Sequence, residues 1–276
     1  MLRLASLGSG SKGNATLVAS QDTVVLIDCG FGVREMMARL PRLGLEVTDI
    51  DAVLVTHEHS DHIAGVSAVA KAAAAPIYAT HGTRQSGKLD SARSVVEIES
   101  DSRFAVGDIE VSAVTVPHDA RQPVQYRFFH NGVAVGVLTD LGCVSAHVQK
   151  AFSGCDMLLL EFNHDLDMLR RGPYPATLKR RVAGDYGHLN NDQAMTMLTS
   201  MTSGTPNIVV AGHISEQNNS LEAVSERLGV WSKASQTQVI YATQSQGFDW
   251  ISSDTAPLSV NVALGGLRFH RLLLHR

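Results

Sequence analysis

Cysteine is scarce in this chain: Cys29, Cys143 and Cys155 make three, an odd number with no CxxC pair. That count argues against a disulfide framework and against a thiolate zinc site, and it points to a reducing, cytoplasmic setting. No apolar run approaches the roughly 18 to 20 residues that span a bilayer. The opening Met1-Leu2-Arg3-Leu4-Ala5 has no basic stretch leading into an apolar one, so an export signal is not expected either. Aromatic residues supply only 5% of the 276 positions, and Lys plus Arg (23) falls short of Asp plus Glu (27), for a net charge of −4. A surface for a polyanion must therefore be local. Fixed-period repeats, low-complexity tracts and Pro/Ser linkers are also missing. Length alone would permit two domains, but one domain over 1–276 is the simpler expectation. What the chain has in excess is histidine, with twelve.

The element pattern is mixed. Strands are expected over 2–7, 15–19, 23–30, 50–56, 76–79, 94–99, 104–106, 109–116, 125–129, 133–139, 157–162, 207–211 and 238–242. Helical spacing marks 33–43, where Met36, Met37, Leu40 and Leu43 share a face and Gly44 is the stop. Further helices are expected over 63–75, 146–152, 191–203 and 221–228. Asn131-Gly132 is a strong hairpin signal. The pattern roughly recurs in two halves, which fits an α/β (α+β) architecture of two face-to-face sheets with helices outside.

The chemistry concentrates in Thr56-His57-Glu58-His59-Ser60-Asp61-His62, between a buried-type strand and an alanine-rich helix. His57 and His59, two apart at a strand end, point to the same side. Asp61 and His62 open the next helix. Three later residues repeat the placement, each just past an apolar strand: His118, Asp140 and His213. His57, His59 and His118 can hold one ion, Asp61, His62 and His213 a second, and Asp140 can bridge them. Imidazole and carboxylate donors suit zinc or manganese, with iron possible, better than a Cys-type structural zinc site.

On these residues the chain resembles the metallo-β-lactamase superfamily, whose hallmark is HxHxDH on a four-layer αβ/βα sandwich. The resemblance implies that fold and two divalent metal ions. It also implies that Asp28, near the end of the third strand expected here, supports the metal ligands from behind; capping the next helix is the competing reading. The superfamily includes lactonases, thioester hydrolases, β-lactamases and nucleases, so the site alone does not choose a substrate. Gly8-Ser9-Gly10-Ser11-Lys12-Gly13-Asn14, Glu161-Phe162-Asn163-His164-Asp165, Gly172-Pro173-Tyr174-Pro175, Gly187-His188-Leu189-Asn190-Asn191 and His213-Ile214-Ser215-Glu216-Gln217-Asn218-Asn219 resemble the YycJ/WalJ-type branch. That branch implies a double-stranded DNA exonuclease working 5′ to 3′ with a metal-bound hydroxide. Asn190 stands where the branch commonly has Ser.

Two ions can polarise a scissile phosphate, activate water and stabilise the leaving oxygen. Asp61 and His188 are the catalytic candidates, with His188 as a proton donor or phosphate contact; a turn residue before the 191 helix is the alternative for it. Ser9, Ser11 and Asn14 sit in a glycine-rich loop able to cradle a phosphate, or in a plain turn. Asn163, His164 and Ser215 are candidates for lining the cleft. Arg170, Arg171, Lys179, Arg180 and Arg181 form a basic cluster suited to a polyanion channel, or to a solvated helix face. Duplex DNA with a free 5′ end is the expected partner. A small-molecule phosphodiesterase, an RNA-processing nuclease and a lactone or thioester hydrolase remain as alternatives. The tail over 267–276 is basic and apolar, and its role is open.

Overall fold

The computed structural model describes residues 1–253; the tail at 267–276 lies outside them. Two seven-stranded sheets face each other. The first has the order β14-β1-β2-β3-β4-β5-β6, built from β1 (Arg3–Gly8), β2 (Ala15–Ala19), β3 (Val24–Ile27), β4 (Ala52–Leu54), β5 (Ile77–Thr80), β6 (Val95–Ile98) and the returning β14 (Phe248–Ser252). The second runs β13-β12-β11-β10-β9-β8-β7, from β7 (Arg103–Val106), β8 (Ile109–Thr115), β9 (Val124–His130), β10 (Val133–Leu138), β11 (Met157–Glu161), β12 (Ile208–Gly212) and β13 (Gln238–Tyr241). Strands β3 to β6 pair in parallel, as do β10 to β13. Both faces of the inner ones, β3 to β5 and β10 to β12, are covered, which is why these read as continuous apolar runs.

Three apolar layers result. Between the sheets lie Leu4, Val18, Ile27, Leu54, Val111, Phe128, Val137 and Leu159 among others. The outer face of the first sheet packs on α1 (Val33–Arg39) and α3 (Val66–Ala73) through Met36, Val66 and Val69. The outer face of the second packs on α5 (Ala146–Phe152), α8 (Asn191–Thr199) and α9 (Leu221–Ser235) through Val148, Phe152, Met197 and Leu228. The architecture is thus helix, sheet, sheet, helix, the expected αβ/βα sandwich. Among the described residues no helix is long and apolar enough to cross a membrane.

Most strands fall where the sequence places them, but β14 was not expected, β3 stops at Ile27 and β4 is shorter than the 50–56 run; the Asn131-Gly132 hairpin has φ of 48° and 83°, as a type I′ turn requires. Helix ends differ. The helix expected over 33–43 becomes a 3-10 turn at Leu40–Leu43, because Pro41 donates no backbone N–H. The helix expected over 63–75 is two pieces, α2 (Ser60–Ile63) and α3. Gly65 lies between them with its N–H on Cys29 O at 2.8 Å. A Cβ there would sit 1.8 Å from Phe31 O. The helix expected over 191–203 stops at Thr199, and the one expected over 221–228 continues to Ser235. Short helices α4 (His81–Arg84), α6 (Leu166–Arg171) and α7 (Ala176–Val182) were not expected from the periodicity.

Candidate metal centre

The functional side chains project from the C-terminal ends of strands that run the same way in both sheets, where open α/β sheets commonly bind ligands. His57, His59, Asp61 and His62 follow β4. His118 follows β8, Asp140 follows β10, Glu161 ends β11 and His213 follows β12. Asp28, Asp140 and His213 turn off their strands with φ of 59°, 51° and 51°. Non-glycine residues in that region store strain that surrounding contacts must hold, and such strain clusters at functional sites. The loop after β4 is held from both sides. Asn14 N–H donates to Asp61 O at 2.8 Å and Cys29 N–H to His62 O at 2.6 Å. From the opposite sheet, the Tyr126 hydroxyl donates to Val55 O at 2.8 Å.

Each buried histidine of the cluster has one nitrogen committed from behind. His118 Nδ1 faces Gly187 O at 3.0 Å and must donate, which leaves Nε2 as an acceptor 3.2 Å from His59 Nδ1. Thr56 Oγ1 donates to Asp28 at 2.7 Å and so accepts from His57 Nδ1 at 2.9 Å. His62 Nδ1 donates to Asp28 Oδ2 at 2.7 Å, and Asn14 Nδ2 lies 3.1 Å from its Nε2. His213 Nδ1 meets Glu161 Oε1 at 2.9 Å. The opposite nitrogens of His57 and His213 are buried with no hydrogen-bond partner among the described residues. Imidazoles fixed on one side and bare on the other are the pattern of metal ligands.

Ligand atoms of His57, His59 and His118 lie within 4.8 Å of one another, as do those of Asp61, His62 and His213. Asp140 joins a group with His57 and His62 and another with Glu161, His188 and His213. The donor set fits divalent cations, and no cysteine enters it. Cys29 is buried, and desolvation pushes its thiol up to about 12.

Charge points the same way. Burial should raise the Glu161 carboxyl, yet His188 and His213 overcome it and bring it down to about 2. Asp140 is likewise held well below the usual range, against burial, by His213 and His62. Burial opposes protonation of His62, but Asp140, Asp28 and Asp61 outweigh it and raise the imidazole well above its ordinary value. His57 is driven the other way, mainly by burial, and stays neutral with a lone pair to give. So dense an acidic set calls for positive charge at its centre, from imidazolium or from metal.

Above the cluster opens a cavity of about 410 Å³ whose wall includes Ser11, Asn163, Tyr174, Arg181, His188 and Ser215. His188 has its Nδ1 on Glu161 Oε1 at 2.7 Å and 3.3 Å from Asp140 Oδ1. It does not serve the following helix: Asn190 caps α8, its Oδ1 accepting from Gln193 N–H at 2.9 Å. Asparagine does this as well as serine, which accounts for the exchange at position 190. Asp28 does not cap α1 either, since Gly32 holds that position.

Several expected substrate contacts are placed otherwise. Ser9 is buried and accepts from His213 N–H at 2.8 Å, so it fixes a strand end. Asn14 is buried between Gly10 and His62. His164 is fully buried, away from the cavity wall, and burial pushes its imidazole down to about 4. Arg170 pairs with Asp167 at 3.4 Å, and Lys179 donates to Arg170 O at 2.7 Å. Arg171 and Arg180 are exposed and outside the cavity wall. Of the basic cluster, only Arg181, paired with Asp119, lines the cavity. Sequence reasoning assigned no role to Glu161, Tyr174 or Lys88, all of which belong to the site or its wall. Glu161 carried a readable signal, an acid closing an apolar strand, as at Asp28 and Asp140.

The profile of the beta-lactamase superfamily domain matches residues 23–214. An exodeoxyribonuclease YycJ of Bacillus anthracis is 35% identical over 80% of this chain and 85% of its own length. An exodeoxyribonuclease WalJ of Streptococcus pneumoniae is 34% identical over 91% of this chain and 93% of its own. Among solved structures, the metallo-β-lactamase fold protein YhfI from Bacillus subtilis superposes with a TM-score of 0.69 at 17% identity, over 91% of this chain and 100% of that one.

Proposed function

The chain belongs to the beta-lactamase superfamily, and from that premise we propose that it is a dinuclear-metal-dependent phosphodiesterase acting as a 5′-to-3′ exonuclease on double-stranded DNA. The observation that carries the hydrolase reading is the convergence of five imidazoles and two carboxylates, from His57, His59, His62, His118, His213, Asp61 and Asp140, under one open cavity. Kinship over most of the chain with two proteins named exodeoxyribonucleases favours a polynucleotide over a lactone, thioester or small diester. We take residues 1–276 as one domain, because the core between the sheets draws on both halves of the chain.

His57, His59 and His118 would hold one ion, Asp61, His62 and His213 the other, and Asp140 would stand between them. Zinc and manganese suit this donor set, iron less so. Such ions, when bound, supply Lewis acidity toward a phosphoryl oxygen and bring the acidity of water toward neutral pH. The chain's own residues do the rest. Asp28 fixes His62 directly and His57 through Thr56, and Glu161 fixes His213, from behind. With Nδ1 committed to Glu161, His188 has Nε2 to place a proton at the leaving oxygen. Arg181, steadied by Asp119, offers a guanidinium to a phosphate in the cavity.

The test is to incubate the metal-loaded chain with end-labelled duplexes bearing 5′-phosphate or 5′-hydroxyl ends, beside RNA, a small chromogenic diester and a lactone. The expected result is stepwise loss of nucleotides from the 5′ end of the duplex. Turnover of the lactone with the duplex intact would overturn the reading.

A further inference from the structure

Three cavities follow one another away from the metal centre along the outer face of α3. Lys88 lines the first, the cavity of about 410 Å³ over the histidines. It also lines a second of about 310 Å³, floored by Ala64, Ser67 and Ala68 and bounded by Lys71. Lys71 in turn lines a third, of about 100 Å³, with Arg93 on its wall. Lys88 and Lys71 stand where one cavity meets the next, so the three lie in file from the cavity that holds Arg181.

The floor is low. Positions 64, 67, 68 and 71 lie on one face of the helical stretch, and an exposed face of this kind usually carries long polar side chains. Here it offers alanine and serine, so a backbone can come close, with cations only at the edges. The Ser67 hydroxyl is buried with no hydrogen-bond partner among the described residues. Lys71, Lys88 and Arg93 are exposed. Among the described residues none of the three is in an ion pair, and the Lys88 ammonium spends one hydrogen bond on Glu58 O, at 2.7 Å. The cluster on α6 and α7 differs: Arg170 and Arg181 are already paired with carboxylates. In a chain of net charge −4, three unpaired cations in file beside the reacting centre are a place for repeated negative charge. α3 has eight residues and so runs about 12 Å, long enough for a strand to lie along it.

We propose that this file of cavities is the track for the phosphodiester backbone of duplex DNA beyond the bond being cut, with Lys88, Lys71 and Arg93 meeting successive phosphates. The proposal rests on the nuclease reading and adds the path its substrate takes.

The test uses the full chain and a fluorescent duplex with phosphorothioate linkages, followed by anisotropy across a salt series. Each phosphate contact contributes about 0.9 to the slope of log K against log salt. The double variant Lys71→Ala/Arg93→Ala should therefore lose about 2 from the slope and bind more weakly at every sequence. Turnover of a small chromogenic diester should stay at the wild-type rate, which also verifies folding. Arg170→Ala/Arg171→Ala should leave the slope nearly unchanged. An unchanged slope in Lys71→Ala/Arg93→Ala, in a protein that still degrades duplex ends, would overturn the track and leave the nuclease reading standing. A wild-type chain that neither binds nor degrades the duplex at low salt would overturn both.

Discussion

A single buried carboxylate, Glu161, accepts four hydrogen bonds: from His188 and His213 at 2.7 and 2.9 Å, and from the Leu141 and Leu189 amides at 3.2 and 3.1 Å. It acts on the centre through the two imidazoles it orients. Glu161→Gln keeps the shape and removes the charge, and should cost 10- to 100-fold in activity or metal affinity, the usual range for such supporting groups; elemental analysis beside kcat separates the two. Glu161→Ala should also lower stability by about 1–3 kcal/mol for each amide left buried and unpaired. A wild-type rate in Glu161→Gln would make the carboxylate a mere space-filler. Asp61→Ala and His188→Ala divide roles in the same way. The first should lose at least one ion and nearly all hydrolysis, and the second should keep its ions and turn over slowly; metal lost from His188→Ala would make it a ligand. The clustered residues were legible because each follows a strand, and strand direction fixes where the next side chain points. Glu161 sent the same signal, but its donors come from three separate segments that only the folded chain assembles. Ser9, Asn14 and His164 sit off the cavity wall for the converse reason: their side chains turn inward, and a loop's facing is a property of its packing, not of its composition.

Strands were easier to read than helices, since period and apolar content mark a strand buried on both faces, whereas a helix end depends on what it meets. The break between α2 and α3 shows this. Gly65 has φ −97° and ψ −10°, a conformation any residue can adopt. Its need for glycine comes from the loop after β3, where a Cβ would sit 1.8 Å from Phe31 O and 3.0 Å from Cys29 Sγ; the Gly65 N–H donates to Cys29 O of the same loop. The same contact braces His62, whose carbonyl accepts from Cys29 N–H. Gly65→Ala should therefore act at a distance from every ligand. Overpacking of this kind costs about 1–3 kcal/mol or more, and displacement of the loop carrying His57, His59, Asp61 and His62 should lower metal content as well. Thermal unfolding with and without added metal reads both effects. A variant with normal stability and full metal would show that the loop is not held through Gly65.

Across the whole molecule, the proposed ligands divide between the two sheets. His57, His59, Asp61 and His62 hang from the first, and His118, Asp140 and His213 from the second. Ions held by both groups would tie the sheets together at their open end, while the apolar layer between them holds the middle. The two contributions have different signatures. Chelation should leave far-UV circular dichroism nearly unchanged, because the apolar layer does not depend on metal. It should lower Tm, because ions that bind only the folded chain stabilise it by about 2.7 kcal/mol at a hundred times their dissociation constant. Acid should do the same as chelator, since imidazoles must be deprotonated to bind metal and the ions leave as pH falls. The stabilisation by added zinc or manganese should thus be present near neutral pH and vanish at lower pH. A Tm indifferent to chelator at neutral pH would mean that the two sets of side chains do not share ions across the sheets.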